Sequence, residues 1–385
     1  MLVKNNSKKL KFNFNKNVKY SIKEFLSLDM FNPINQKNYF DIYNLDLFEK
    51  KKFRTHVFGM GGSSLSTKLL AQFLDPNSLG KNLLIFDNPS PIKIKNSLQD
   101  LQINKNDKFI FISKSGNTIE IKYFLNMLIK ILNKKKVSDI YKKFIFITEN
   151  SENYMKKYAK KNNILCFDHD PNIGGRFSIF SITALLPLLS IGFPLSKILN
   201  SFKKAKSLIK KNHSKLSKEI FSSIGFEKKF KLNILVGLSY HDKINTVNEW
   251  YRQIFAESLG KNSNAKNYIS SYGSIDQHSQ FQLYIDGPND KHFNFFKIST
   301  PKNSISSNSN LIKGYNLMSV LEEGAIKTLQ QKKFLVSQIS IKDDFNDYCY
   351  LLIYLIFDIY LRSIYEKINF LDQPAVEILK KNTKA

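Results

Sequence analysis

THVFGMGGSSLSTKLLAQFL, residues Thr55–Leu74, opens with strand-like residues, passes through a glycine- and serine-rich turn at Gly59–Ser64, and closes in a helical run. A strand that returns parallel to its neighbour needs a crossover, usually a helix, so this passage predicts a parallel sheet. The passage recurs. Leu83–Asp87 reads as a strand, and Lys108–Ile112 as another, followed by SKSGNT (113–118) and a helix to about Leu132. Phe144–Thr148 and Ile164–Phe167 complete a first set. These short runs are almost continuously apolar, as strands covered on both faces must be. After a helical connector, Leu195–Ile224, the rhythm resumes with strands at Leu232–Val236, Asn267–Ser270, Phe293–Ile298 and Phe334–Ile341. Helices are expected at Leu311–Gln331, Asp344–Glu366 and from Gln373 onward. The expected fold is α/β: two tandem sandwiches with mainly parallel sheets and ligands at the carboxyl ends of the strands. The expected division is an N-terminal helical arm over 1–52, domains over 53–200 and 226–366 joined by the connector 201–225, and a C-terminal helix in 367–385.

Composition narrows the function. A chain of 385 residues with 42% apolar content can bury two cores of ordinary size. The net charge of +27 invites a nucleic-acid reading, but Arg occurs only at 54, 176, 252 and 362. Recognition of base edges and bidentate phosphate contacts favours Arg, so the lysine excess reads as solvated surface and no nucleic-acid partner is expected. Cys166 and Cys349 are too few for a disulfide framework, which fits a reduced, cytoplasmic setting. The first residues carry no apolar run of the signal-peptide kind. Ala184–Leu195 and Tyr348–Leu361 are apolar but shorter than the ~20 residues of a membrane span, and read as core helices.

Several loops carry chemistry. Ser113–Thr118 offers three hydroxyls, a glycine and a following helix N-terminus, which together favour a phosphate; the alternative is an ordinary capped turn. Gly59–Ser64 half-matches a dinucleotide fingerprint, with Asp87 as the ribose-binding acid, but Ser64 stands where the third glycine belongs. Gly174-Gly175-Arg176-Phe177-Ser178 lets backbone approach closely and aims one Arg, unless that Arg is merely salt-bridged at a helix start. His278 lies in DQHSQ, where a satisfied helix-start histidine is the default. The six histidines show no metal-ligand spacing, so no metal is expected. Finally, NEWYRQIFAESLGKN (248–262) has a helical period. It sets Gln253 and Glu257 on one side and marks Trp250, Ile254 and Leu259 as packed. Glu257 is either an ordinary helix acid or a general base on a rigid element.

Taken together, Gly59–Leu65, Ser113–Glu120, Gly174–Ser178, Gln253–Lys261, Gln277–Gln282 and Asp372–Lys380 resemble, in order, the signatures of the glucose-6-phosphate isomerase family. The resemblance runs from about Thr55 to the C-terminus. It implies two sugar-isomerase (SIS) domains, a hexose 6-phosphate substrate, no cofactor, and a homodimer with the active site at the interface. It implies that Ser113, Ser115 and Thr118 cradle the phosphate, with Ser63, Gly62 and Gly175 in the neighbouring loops. Glu257 matches the base that moves a proton between C1 and C2, and Arg176 the cation that steadies the enediolate. His278 and Lys380 match groups that open and close the ring, with the His contributed by the other subunit. Gln253 and Gln373 match residues that hold the sugar or support Glu257. Ser66, Leu371, Ala375 and Leu379 stand where the family more often has Gly, Phe, Gly and Gly.

The implied chemistry is self-consistent. Aldose–ketose exchange needs a partly desolvated carboxylate near C1 and C2, and a positioned cation where charge develops. No step requires a metal or an organic cofactor. A non-catalytic SIS-domain sugar-phosphate sensor would need the Ser113–Thr118 loop without Glu257, Arg176, His278 and Lys380. An isomerase acting also on mannose 6-phosphate would keep every residue named. A nicotinamide dehydrogenase is disfavoured by the broken glycine fingerprint.

Overall fold

The computed structural model describes residues 1–6, 18–99, 102–261, 265–299 and 309–383. The chain divides into two compact units. Ser27–Lys203 forms one, and Met1–Leu26 with Lys204–Ala385 forms the other. Among the described residues the strands are β1 (Leu2–Asn5), β2 (Arg54–Gly59), β3 (Leu83–Phe86), β4 (Asp107–Ile112), β5 (Phe144–Glu149), β6 (Leu165–His169), β7 (Ile234–Ser239), β8 (Asn267–Tyr272), β9 (Lys291–Ser299) and β10 (Leu335–Lys342).

In the unit Ser27–Lys203 the sheet order is β3-β2-β4-β5-β6, and every pairing is parallel. Register places Phe58 opposite Phe86 and Phe111, and the three rings stack at 4.7 and 4.6 Å between centroids. Phe124 of the helix Ile119–Lys134 closes on Phe58 at 5.4 Å. That helix buries Ile121, Phe124, Leu125, Leu128 and Leu132, a helical stripe laid on the sheet. The alternate strand residues Val57, Ile110 and Ile145 are equally buried, so the sheet is covered on both faces. Each such side chain contributes about 1.5–3 kcal/mol by transfer from water.

In the other unit the order is β1-β10-β9-β7-β8, parallel except for β1, which pairs antiparallel with β10. The stretch 1–52 reads from sequence as a peripheral helical arm, yet it also supplies this edge strand. Four residues of alternating pattern, LVKN, are too few to signal a strand by themselves. Its remainder is split: residues to 26 go with this unit, and those from 27 go with the other. The expected connector is a single helix of 35 residues, Leu195–Lys229, within which the division between the units falls.

The apolar run Tyr348–Leu361 lies within the helix Phe345–Glu366, of 22 residues, one residue short of the expected Asp344–Glu366. The length and hydropathy of this helix would suffice to cross a bilayer, so shortness does not argue against a span. Burial does: 89% of its most apolar window lies inside the protein. Asp344 caps its start, accepting from the N–H groups of Asn346 and Asp347.

Candidate active site

Two loops of the unit Ser27–Lys203 leave adjacent strands side by side, because Gly59 at the end of β2 pairs with Ile112 at the end of β4. In the second loop the Ser113 hydroxyl accepts the Gly116 N–H at 3.1 Å and lies 2.7 Å from the Thr118 hydroxyl. Ser115 Oγ accepts the Asn117 N–H at 3.3 Å and is exposed. Gly116 sits at φ +63°, and a Cβ there would fall 2.0 Å from Asn153 Oδ1, so the turn requires glycine. Thr118 is the N-cap of Ile119–Lys134, but its hydroxyl turns to Ser113 and makes no capping bond. The positive end of a 16-residue helix therefore opens beside three hydroxyls, an arrangement suited to an anion. The loop thus brings the Ser113 and Thr118 hydroxyls together, while the Ser115 hydroxyl turns to the Asn117 N–H.

The first loop meets the arginine motif. A Cβ on Gly62 would lie 2.2 Å from Gly175 O and 2.7 Å from Arg176 N, so these two backbones touch where a side chain would separate them. The Ser178 hydroxyl donates to Gly62 O at 3.4 Å and lies 3.4 Å from Ser66 Oγ. Ser66, a departure from the family pattern, thus has a polar neighbour. Ser63 is half-buried in the first turn of the same helix, Gly62–Leu74. Gly62 serves a backbone approach within the protein, which further weakens the dinucleotide reading. Arg176 is 3% exposed, with its guanidinium 5.0 Å from the Phe177 ring. The segment leading to it is braced from the N-terminal side. Tyr39 donates to Asp170 Oδ2 at 3.1 Å, and Tyr43 to Asp168 O at 2.8 Å. Burial raises the Tyr43 phenol to about 12, so it remains a donor. Nothing in the spacing of Tyr39 or Tyr43 flags this role.

In the other unit the helix Asp242–Leu259 buries Trp250, Tyr251, Ile254, Phe255 and Leu259, as its period predicts. Gln253 and Glu257 are both half-buried, and Gln253 Nε2 donates to Glu257 Oε1 at 2.9 Å. Gln253 Oε1 is buried and has no hydrogen-bond partner among the described residues. A buried orphaned acceptor is costly, and a donor from outside the chain would satisfy it. Lys261, four residues beyond Glu257, turns to Asn369 and Asp372 instead.

The back of this helix is held by a buried polar chain. Tyr251 donates to Asp358, and Arg362 binds Asp358 at 2.9 Å and Glu227 at 2.8 and 3.0 Å. Burial lowers the His292 pKa, and its ring lies between Glu227, 2.7 Å from Nδ1, and the Ser337 hydroxyl, 2.8 Å from Nε2.

The direction of the helix places its ends. Asn248 Nδ2 reaches Ser271 O near the carboxyl end of β8, whereas the Phe255 ring lies against Tyr268 near its amino end. Glu257, beyond Phe255, therefore stands at the amino end of the strands. The Ser113 loop follows the carboxyl end of β4, whereas Glu257 stands at the amino end of its own sheet. His278 follows β8 on the opposite, carboxyl side, exposed at the end of the short helix Gly273–Gln277. The structure does not bring Glu257 and His278 of one copy together. Gln373 is half-buried just before the helix Pro374–Asn382. Lys380 lies on that helix by its backbone, and its side chain is outside the described residues. No cluster of three or more metal-ligating side chains occurs among the described residues.

Residues 50–310 match the family model for phosphoglucose isomerase. A probable glucose-6-phosphate isomerase of Methanococcus maripaludis is 30% identical over 377 residues, covering 93% of this chain and 83% of its own. The glucose-6-phosphate isomerase of Campylobacter jejuni is 30% identical over 356 residues, covering 88% and 86%. Among solved structures, a glucose-6-phosphate isomerase from Chlamydia trachomatis shares the fold with a TM-score of 0.71 at 18% identity, over 96% of this chain and 75% of that one.

Proposed function

The chain belongs to the phosphoglucose isomerase family, and on that premise we propose that it interconverts glucose 6-phosphate and fructose 6-phosphate by moving a proton between C2 and C1 through a cis-enediol. The observation that carries this reading is the Gln253–Glu257 pair: a carboxylate oriented by an amide whose own oxygen is buried and unmatched among the described residues. In this reading the Glu257 carboxylate removes the C2 proton of the open-chain aldose and returns it to C1, while a proton passes from O2 to O1. Gln253 orients Glu257 and accepts a sugar hydroxyl. Arg176 faces the charge that develops on the enediolate oxygens, where a fixed cation stabilises the transition state more than the ground state. Ser113, Ser115 and Thr118 bind the phosphate, whose binding energy orients the reacting end. Ser63, Gly62 and Gly175 shape the loops beside it, and Gln373 supports the base. His278 and Lys380 exchange protons with the ring oxygen and the C1 hydroxyl.

Glu257 and His278 lie toward opposite ends of one sheet. Tyr268 and Tyr272, which mark those levels on β8, are four residues apart, roughly 13 Å at ~3.3 Å per residue. The ring oxygen and C2 of one pyranose are separated by a single carbon. Two groups acting on one sugar therefore call for His278 from a second copy, and we propose a homodimer that shares its sites in this way.

The test is a coupled assay on fructose 6-phosphate with and without EDTA. Turnover unaffected by the chelator is expected, and a folded protein without turnover overturns the reading. Glu257→Gln is expected to lower kcat by about 10²–10⁴ while sugar-phosphate binding persists. Near-normal turnover would place the base elsewhere.

A further inference from the structure

Lys261 lies just beyond the helix that carries Glu257. Gly260 closes that helix with its N–H on Ala256 O at 2.9 Å, and a Cβ there would fall 2.3 Å from the same oxygen. Past this turn the Lys261 side chain crosses to a segment 108 residues away in sequence. Its ammonium donates to Asn369 O and pairs with the Asp372 carboxylate. The segment is folded around these acceptors. The Leu371 N–H donates to Asn369 Oδ1 at 3.0 Å, and Asn369 Nδ2 to Asp372 Oδ2 at 3.3 Å. Between them Phe370 is buried, its ring edge-on to Tyr360 at 6.0 Å. Gln373 comes next, then the helix Pro374–Asn382 with Lys380 in its last turns.

One ammonium thus ties the end of the Glu257 helix to the root of the Gln373–Lys380 segment. We propose that Lys261 is a positioning residue for the isomerisation: its grip on Asn369 and Asp372 sets where Gln373 and the Lys380 helix stand relative to Glu257. The inference rests on the roles proposed above for those three residues. Lys261 is largely enclosed, with 18% of its side chain exposed, whereas Asp372 is 52% exposed. A pair so open to water is screened and adds little to global stability. Its geometric effect is larger, because a helix released at its root can shift by about 1 Å, and such a displacement can lower a rate by about 10²-fold. The expected signature is a loss of turnover out of proportion to any loss of stability.

The experiment compares Lys261→Ala, Lys261→Arg and Asp372→Asn in the full chain. For Lys261→Ala, kcat on fructose 6-phosphate should fall about 10- to 100-fold with KM little changed. Amide hydrogen exchange over 374–382 should accelerate while exchange over 242–259 stays as in the wild type. Lys261→Arg should recover most of the rate, because a guanidinium can serve both acceptors. If Lys261→Ala fails to fold, Asp372→Asn tests the same tie from its exposed side and should move in the same direction. A kcat within about twofold of wild type in the alanine and asparagine variants overturns the proposal, as does lost activity with unchanged exchange over 374–382. A wild-type protein without isomerase activity would defeat the proposed function instead, and the exchange measurement would still report on the tie.

Discussion

Gly62 illustrates how much one residue can fix here. Its missing Cβ admits Gly175 O to within 2.2 Å of where that atom would be, so the glycine loop and the arginine motif share a boundary with no side chain between them. Gly62→Ala is expected to push the 174–176 backbone outward, costing about 1–3 kcal/mol of stability and lowering kcat more than tenfold through a displaced Arg176. Thermal unfolding together with kinetics on fructose 6-phosphate checks this, and a variant with wild-type kcat would show that the approach does not matter to the site. The sequence marks Gly174-Gly175 as a close approach of backbone and Gly59–Ser64 as a half-matched fingerprint, but gives no sign that the two motifs approach each other. Scarcity of arginine does not by itself mark a site residue. Arg54 binds Asp107 at 2.7 Å at the amino end of the sheet, and Arg362 is locked between Glu227 and Asp358. Both are structural, so what distinguishes Arg176 is its glycine-rich setting and not its scarcity.

At the scale of elements, the helix Asp242–Leu259 is legible in both its period and its packed face, whereas its polarity against the sheet is not. Because it returns antiparallel to β7 and β8, it carries Glu257 to the amino end of strands whose carboxyl end leads to His278. That opposition makes a prediction about mixed dimers. Glu257→Gln and His278→Ala are each expected to be nearly inactive alone. In the homodimer proposed above, unfolding and refolding the two variants together should leave half the dimers mixed, and in each of these one site has both native groups. Recovery of about a quarter of wild-type activity is expected. If both groups act from the same copy, mixing recovers nothing.

At the scale of the whole molecule, stability should depend also on buried groups to which no step of the reaction is assigned. Burial raises the Glu322 carboxyl from its ordinary value of 4.5 to about 7, against the pull of Lys297 at 3.4 Å. A raised folded pKa means the fold favours the neutral acid. Its contribution is fully present below about pH 4.5 and is lost as pH rises through about 7. Glu322→Gln, neutral throughout, is therefore expected to exceed the wild type in stability at pH 8 by on the order of 1–3 kcal/mol and to match it closely at pH 5. Urea unfolding at the two pH values decides, and an equal difference at both would refute the buried-acid account. By itself the sequence determined the α/β class, most strands to within a residue or two, and the hydroxyl-rich turn at 113–118. All of these follow from short-range periodicity and from turn chemistry written in consecutive residues. Tertiary structure alone decided that LVKN becomes an edge strand and that the glycine loop abuts the arginine motif. It also decided that Lys261 reaches Asp372, and that Glu257 and His278 fall at opposite ends of one sheet. Each of these joins positions far apart along the chain, and such pairings arise when distant segments compete to bury surface and satisfy polar groups, a competition that no local pattern records.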